Sequence, residues 1–324
     1  MADTFAKGCS SSANFALSNM NVQKIHTCTG HRAAVYALAP GRDERHFFSA
    51  GGDGWVTEWN LDEPDLGKLA ASVETQIFSL CALNANRLVA GNMNGGVHWI
   101  DRKSPDKTLN VQHHKKGVYD IIAAGNWVFT VGGDGVLTRW DLEKGRTVES
   151  FQLSNQALRA ISFSEKRREL AVGASDNSIY LLDSETFELK TTLKNAHANS
   201  VFAVAYSPDS NFLLSGGRDA MLRVWDLGNP YSLAPHSSSL TPSQPAHLFT
   251  LNHIVFSPDG KLFATASRDK TLKIWDAQTF QLLKVVDTIR HGGHVNSVNR
   301  LLWLPDCLVS CSDDRTVMLW RVSE

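Results

Sequence analysis

The sequence predicts an all-β protein assembled from seven repeated units of four short strands, and three observations carry that expectation. A tight-turn Asp or Asn followed six positions later by Trp or a large apolar residue recurs seven times, at Asp53/Trp59, Asn94/Ile100, Asp134/Trp140, Asp176/Leu182, Asp219/Trp225, Asp269/Trp275 and Asp314/Trp320. Successive turn positions lie 41, 40, 42, 43, 50 and 45 residues apart, which is the period of one four-stranded unit per repeat. Within a unit, apolar residues alternate over short runs instead of recurring at helical spacing. Val201 to Tyr206 is followed by a Ser-Pro-Asp turn, then Phe212 to Leu214, then Met221 to Trp225, the pattern of strands.

Along the chain, Met1 to about Asn19 is rich in Ser and Asn and is expected to be a loose tail, leaving residues 20–324 as one repeat domain. Asn21 to Thr27 resembles the outer-strand segment Gln281 to Asp287, and only four residues follow Trp320. The N-terminal segment is therefore expected to supply the missing outer strand of the last unit, hiding a row of unpaired backbone groups. Residues 228–246 hold four of the ten prolines and a Ser237-Ser-Ser239 run, and are expected to form an exposed excursion.

Ser267-Arg-Asp-Lys-Thr-Leu-Lys-Ile-Trp-Asp276 resembles the WD-repeat family of β-propellers, and seven such stretches in phase extend the resemblance over about residues 21 to 324. The resemblance implies a seven-bladed β-propeller of four-stranded antiparallel blades, closed by the N-terminal strand completing the last blade.

Aligning the repeats puts a His in phase with a buried-type hydroxyl, the turn Asp and the Trp in five of them. The quartets are His31/Ser49/Asp53/Trp59, His114/Thr130/Asp134/Trp140, His197/Ser215/Asp219/Trp225, His247/Thr265/Asp269/Trp275 and His294/Ser310/Asp314/Trp320. An indole only donates, a hydroxyl and an imidazole do both, and a carboxylate only accepts, so the four can form a chain with every polar end matched. The family resemblance implies that this network clips the loop before each blade to its tight turn. Each buried group would cost about 1–3 kcal/mol without its partner, so the members are expected to be kept or lost together. The second repeat has Val73, Ala90, Asn94 and Ile100 at these positions, and the fourth has Ser154, Val172, Asp176 and Leu182. Those two blades are expected to be held by packing alone.

Composition narrows the functions. The 324 residues are 43% hydrophobic, with 32 Lys+Arg against 33 Asp+Glu and a formal charge of −1, so no global positive charge draws nucleic acid. Asp3, Lys7, Asn14 and Asn19 interrupt any signal-peptide core, and no apolar run approaches the roughly 20 residues needed to span a bilayer. The five cysteines, Cys9, Cys28, Cys81, Cys307 and Cys311, are odd in number and lack CxxC spacing, which suits reduced thiols in a cytoplasmic setting, with the nucleus also open. Ser, His and Asp are also the ingredients of an acyl-transfer triad, but a hydroxyl placed mid-strand among apolar neighbours has neither substrate room nor an oxyanion hole. No G-x-S-x-G elbow or phosphate-binding G-x-x-x-x-G-K motif is present. His113-His114 and His291-Gly-Gly-His294 lack a completing ligand set nearby, so no metal or cofactor is expected.

Function is then expected at exposed side chains the fold does not require. In the family's geometry, the residue five positions after each quartet His, or its equivalent, opens the innermost strand near the channel mouth. These positions are Tyr36, Phe78, Tyr119, Arg159, Phe202, Asn252 and Asn299. Aromatic and Arg side chains anchor protein interfaces because they bury large area with little rotamer loss, although the same rings could simply pad the channel wall. The resemblance implies a peptide side chain entering this mouth, with an Arg or Lys suited to the aromatic faces. A basic arc of Arg218, Arg268, Lys270 and Arg315 flanks the turns of blades five to seven. Each cation either neutralises its adjacent Asp or is simply solvated, or the arc receives an acidic or phosphorylated partner. The leading reading is a non-enzymatic scaffold or adaptor for protein or peptide partners, monomeric within a larger complex. The rivals are a small-molecule or enzyme site at the same mouth, and RNA or DNA binding through the basic arc.

Overall fold

The computed structural model describes residues 20–228 and 243–323; the expected tail and most of the 228–246 excursion lie outside these. Seven antiparallel four-stranded sheets are present, each built from four segments that follow one another in the chain except in the last blade. The inner strands are Val35–Pro40, Ile77–Ala82, Val118–Ala124, Leu158–Ser164, Val201–Tyr206, Leu251–Phe256 and Val298–Trp303. Each touches the inner strands of its two neighbours, the seventh against the first included, so the ring closes.

Closure is covalently staggered. Asn21–Cys28 pairs antiparallel with Val317–Ser323, from Asn21 opposite Ser323 to Cys28 opposite Val317, and becomes the outer strand of blade seven. Opening the ring would therefore strip a whole strand from its sheet as well as separate two blade faces. The hydrophobic core lies between blades. Cys28, Val35, Phe47 and Trp59 pack with Val309, Cys311, Val317 and Leu319 across the first and seventh blades, and Val89, Val97 and Trp99 pack with Val118, Val128 and Trp140 across the second and third. A blade alone leaves both faces uncovered, so each is stable only when its neighbours stack on it.

The excursion ends earlier than its composition suggests. Ser243–Pro245 forms the outer strand of blade five, with Met221 opposite Pro245 and Arg223 opposite Ser243. Proline is tolerated there because an outer strand is a sheet edge, where its missing N–H need not face a neighbour. Among the described residues no helix is long and apolar enough to cross a membrane. Cys28, Cys307 and Cys311 are buried and Cys81 partly so, all with free thiols. Burial pushes Cys28 up to about 12 and Cys81 and Cys307 to about 11, so these are packing residues and not thiolate nucleophiles.

Candidate functional site

All five quartets assemble. The indole nitrogens of Trp59, Trp140, Trp225, Trp275 and Trp320 donate to Ser49, Thr130, Ser215, Thr265 and Ser310 at 2.7–2.9 Å. The same hydroxyls lie 2.7–2.8 Å from Nε2 of His31, His114, His197, His247 and His294. The Nδ1 atoms lie 2.9–3.1 Å from the turn carboxylates. A carboxylate can only accept, so the proton is on Nδ1, and the hydroxyl then donates to Nε2. The carboxylate also holds backbone on both sides: Asp53 accepts from the amides of Arg32 and Trp55, and Asp269 from those of Leu248 and Thr271. For Asp134, burial works against ionisation, but the His114 ring and the Lys115 and Val136 amides outweigh it and bring the carboxyl down to about 2. All five hydroxyls are completely buried, which leaves no room for a substrate.

Blades two and four are not held by packing alone, contrary to the sequence expectation. In blade four Ser154 stands at the His position and donates to Asp176 at 2.5 Å, while Tyr180 donates to the same oxygen at 2.6 Å. In blade two the Asn92 side chain accepts from the amides of Asn94 and Gly96 and approaches His98 at 2.9 Å. Ser154 and Asp176 stand in the quartet phase, but their partners Tyr180, Asn92 and His98 do not, so the phase gives no sign of them.

The seven predicted mouth residues come together. Tyr36, Phe78, Tyr119, Arg159, Phe202, Asn252 and Asn299 line one cavity of about 210 Å³ at the channel. A common cause places them: in every blade the pairing of the inner strand with the next strand slips in register once, between Val35 and Ala37, Ile77 and Ser79, Val118 and Asp120, Leu158 and Ala160, Val201 and Ala203, Leu251 and His253, and Val298 and Arg300. The skipped residue is the mouth residue each time. A bulge leaves one residue unpaired and re-aims its side chain, here toward the channel.

The mouth is internally ordered. Tyr36 meets Phe78 edge-on with ring centroids 5.4 Å apart, and Phe78 stacks on Tyr119 at 5.7 Å. The Arg159 guanidinium lies 4.4 Å over the Tyr119 ring and 5.1 Å over that of Phe202, and its Nε donates to Ser175 at 2.9 Å. Two of the four aromatic rings at the mouth, Tyr119 and Phe202, thus already carry a cation. Asn252 donates to the Val298 carbonyl at 2.8 Å and Asn299 to the Val35 carbonyl at 2.9 Å, tying blades six to seven and seven to one.

A second tier follows one residue along each strand, and sequence reasoning missed it. It contains Asp120, His253 and Arg300, all lining the same cavity. Arg300 reaches from blade seven to Asp120 of blade three at 2.8 Å, and the other Asp120 oxygen accepts from the Ile161 amide at 3.1 Å. His253 accepts from the Leu301 amide at 3.3 Å. Burial first, and the Arg300 charge second, hold the His253 ring well below its usual pKa and hence neutral. The signal was available: the position after each mouth residue could have been read in the same phase.

Of the basic arc, Arg218, Arg268, Lys270 and Arg315 are all exposed, and among the described residues none forms an ion pair with its neighbouring Asp, which is committed to His instead. Direct pairing with the adjacent Asp is therefore absent, and the exposed cations fit simple solvation as well as a waiting acidic partner. Among the described residues no three His, Cys, Asp or Glu side chains converge as a metal site; His113 instead bonds Thr138 at 2.9 Å and His291 faces Asp287.

These features define a propeller, five of whose seven blades are clipped by Trp, hydroxyl, His and Asp. Comparison with known proteins agrees. The family model described as "WD domain, G-beta repeat" matches residues 22–60, 187–226, 238–276 and 283–321, which fall on four of the five quartet blades. The chain belongs to the WD-repeat family. It is similar to the ribosome biogenesis protein YTM1 of Scheffersomyces stipitis, 26% identical over 63% of this chain and 44% of that protein. It is also similar to the THO complex subunit 6 homolog of Danio rerio, 27% identical over 49% of this chain and 54% of that protein. The chain thus spans about half the length of these relatives or less. In three dimensions it resembles the WD40 β-propeller domain of Doa1, with a TM-score of 0.79 and 18% identity over 93% of this chain and 97% of that one.

Proposed function

We propose that the chain is a non-enzymatic docking scaffold that binds a segment of a protein partner over the channel mouth, as one subunit of a larger assembly in a reducing intracellular compartment. The observation that carries this reading is the bulge in every blade. A ring needs no aromatic or guanidinium at a residue that has left the ladder, yet Tyr36, Phe78, Tyr119, Arg159 and Phe202 all stand at such residues and share one cavity. The relatives named for ribosome biogenesis and for the THO complex are consistent with work in assemblies. A cavity of about 210 Å³ admits one side chain and not a drug-sized substrate, for which several hundred Å³ is usual. The carboxylate beneath it does not serve as a general base, because Arg300 and the Ile161 amide hold both oxygens of Asp120.

The test is affinity capture with wild-type protein and a Tyr36→Ala, Phe202→Ala variant, followed by titration calorimetry of the partners recovered. Loss of at least tenfold in affinity, about 1.4 kcal/mol, is expected for the variant at an unchanged melting temperature. A partner that binds both proteins equally would place docking elsewhere.

A further inference from the structure

The inference concerns the chemistry of the docked segment and rests on the reading of the mouth as a docking face. On blades six and seven the loop before each blade and the turn within it are stitched together. The Leu248 amide donates to Asp269 and the Arg268 amide to the Thr250 carbonyl. The Val295 amide donates to Asp314 and the Asp313 amide to the Ser297 carbonyl. This stitching fixes exposed apolar side chains beside exposed cations: Leu248 is 85% and Phe249 60% exposed, and Val295 is 55% exposed, next to Arg268, Lys270 and Arg315. Asp269 and Asp314 are turned inward, with side chains only 5–6% exposed, whereas Asp313 is exposed and accepts from the Asn299 side chain at 2.8 Å; three cations and hydrocarbon therefore face a ligand on this rim against one exposed carboxylate.

The backbone supplies an independent observation. The residue after the turn Asp or Asn is left-handed in all seven blades: Gly54, Gly95 and Gly135 in the first three, Asn177 in the fourth, then Ala220, Lys270 and Arg315, at φ 62°, 74° and 69°. Glycine is the residue that takes this conformation without steric cost, and a long side chain there is strained. The two positions that keep a long cation against that preference lie on the two blades that also carry the exposed apolar loops. At the mouth itself, on blade four, Arg159 has no carboxylate partner among the described residues.

We propose that this face takes an acidic peptide segment of another protein, its Leu- or Phe-type side chains on Leu248, Phe249 and Val295, its carboxylates on Arg268, Lys270 and Arg315, and one carboxylate at the mouth on Arg159. Spreading the cations one or two per blade suits a series of single carboxylates better than one doubly charged group at a point. RNA is disfavoured because Tyr36, Phe78 and Tyr119 spend their rings on one another and Tyr119 also carries Arg159, leaving few faces for bases, and because aliphatic Leu248 and Val295 do not stack with bases.

The experiment is selection of a random displayed-peptide library on the immobilised full chain, then fluorescence anisotropy of the enriched sequences and of a poly-uridine oligonucleotide. The variants are Lys270→Gly/Arg315→Gly, Leu248→Ser/Phe249→Ser, Arg159→Gln and Tyr36→Ala/Phe202→Ala. The glycine pair removes charge while installing the residue that blades one to three already use, so its melting temperature should stay at or above wild type. Expected are enriched peptides of net negative charge with Leu or Phe, each of the first three variants weakening them about tenfold, and a shallower salt dependence for the glycine pair. Enrichment of basic peptides, lost with Tyr36→Ala/Phe202→Ala and indifferent to the glycine pair, would overturn the acidic assignment and leave the docking face intact. Enrichment of no peptide, or binding of the oligonucleotide alone, would overturn both.

Discussion

Blade five and blade four solve the same problem with opposite wiring. In blade five the polar groups are linked in series: Trp225 to Ser215 to His197 to Asp219. In blade four they are linked in parallel, since Ser154 and Tyr180 both donate to one oxygen of Asp176, whose other oxygen takes the Ser178 amide. A series chain fails when any middle member is lost, because both flanking groups then lose a side-chain partner that nothing else in the chain replaces. A parallel set tolerates loss of a spoke and fails at its hub. This explains why His, hydroxyl and Trp vanish together from blades two and four while the turn itself remains clipped: the series chain cannot be lost piecemeal, but a local hub can replace it.

Acid should have the largest effect, because it reaches the turn carboxylates of both kinds of blade at once, Asp176 with the others. The folded pKa of Asp134 is about 2 against an ordinary 3.8, and those of Asp53, Asp219, Asp269 and Asp314 are also lowered. A group depressed in the folded state contributes stability that is fully present above its unfolded pKa and lost as pH falls through the folded one. Stability should therefore fall steeply between about pH 4 and pH 2. His253 adds a shallower leg at higher pH. Its ring stays neutral in the channel beside Arg300, so the unfolded chain takes up the proton first, and stability begins to drop near pH 6.5. Urea unfolding across pH 2–7 checks both legs: Asp134→Asn should flatten part of the lower one and His253→Gln part of the upper one, to which His113, His247 and His291, also lowered by burial, contribute. A stability that rises on acidification would contradict the wiring.

Next in size is His197→Ala, which takes one partner from the buried Ser215 hydroxyl and one from the Asp219 carboxylate, leaving the Trp225 indole and the Ala198 and Met221 amides, and should cost about 3 kcal/mol with the cavity included. Ser215→Ala breaks the same chain. The double variant should cost less than the two singles added, by about 1 kcal/mol, because the second loss removes a group already disconnected. Denaturant midpoints of the four proteins measure this directly.

The architecture was legible because it is periodic. The turn Asp with its Trp, the His in phase, and the N-terminal segment that mimics an outer strand each needed only alignment of the chain with itself, and the seven mouth residues followed from the same phase. What stayed hidden breaks the period. Tyr180 substitutes for a His from a strand position with no counterpart in the quartet. Asn92 occupies a place held by Gly51, Gly132 and Gly217 in other blades. The Asp120–Arg300 pair joins residues 180 apart across the channel, a contact that only ring closure creates. Exposure of Leu248 and Phe249 was equally invisible, since a loop pattern of His-Leu-Phe-Thr does not say which side faces water.

The smallest effect is the most discriminating. Ser154→Ala and Tyr180→Phe should each cost about 1 kcal/mol or less, because the surviving donor still serves the shared Asp176 oxygen. With both gone, that oxygen of a half-buried carboxylate keeps no side-chain donor. The double variant should therefore cost more than the sum by about 0.5 kcal/mol, whereas the cycle in blade five falls short of its sum. Asp176→Ala, which removes the hub, should cost about 2 kcal/mol, as much as both spokes and their coupling together. Opposite signs of coupling in two blades of one ring would establish series and parallel wiring as distinct. Equal signs would mean that the tyrosine merely decorates a turn held by backbone alone.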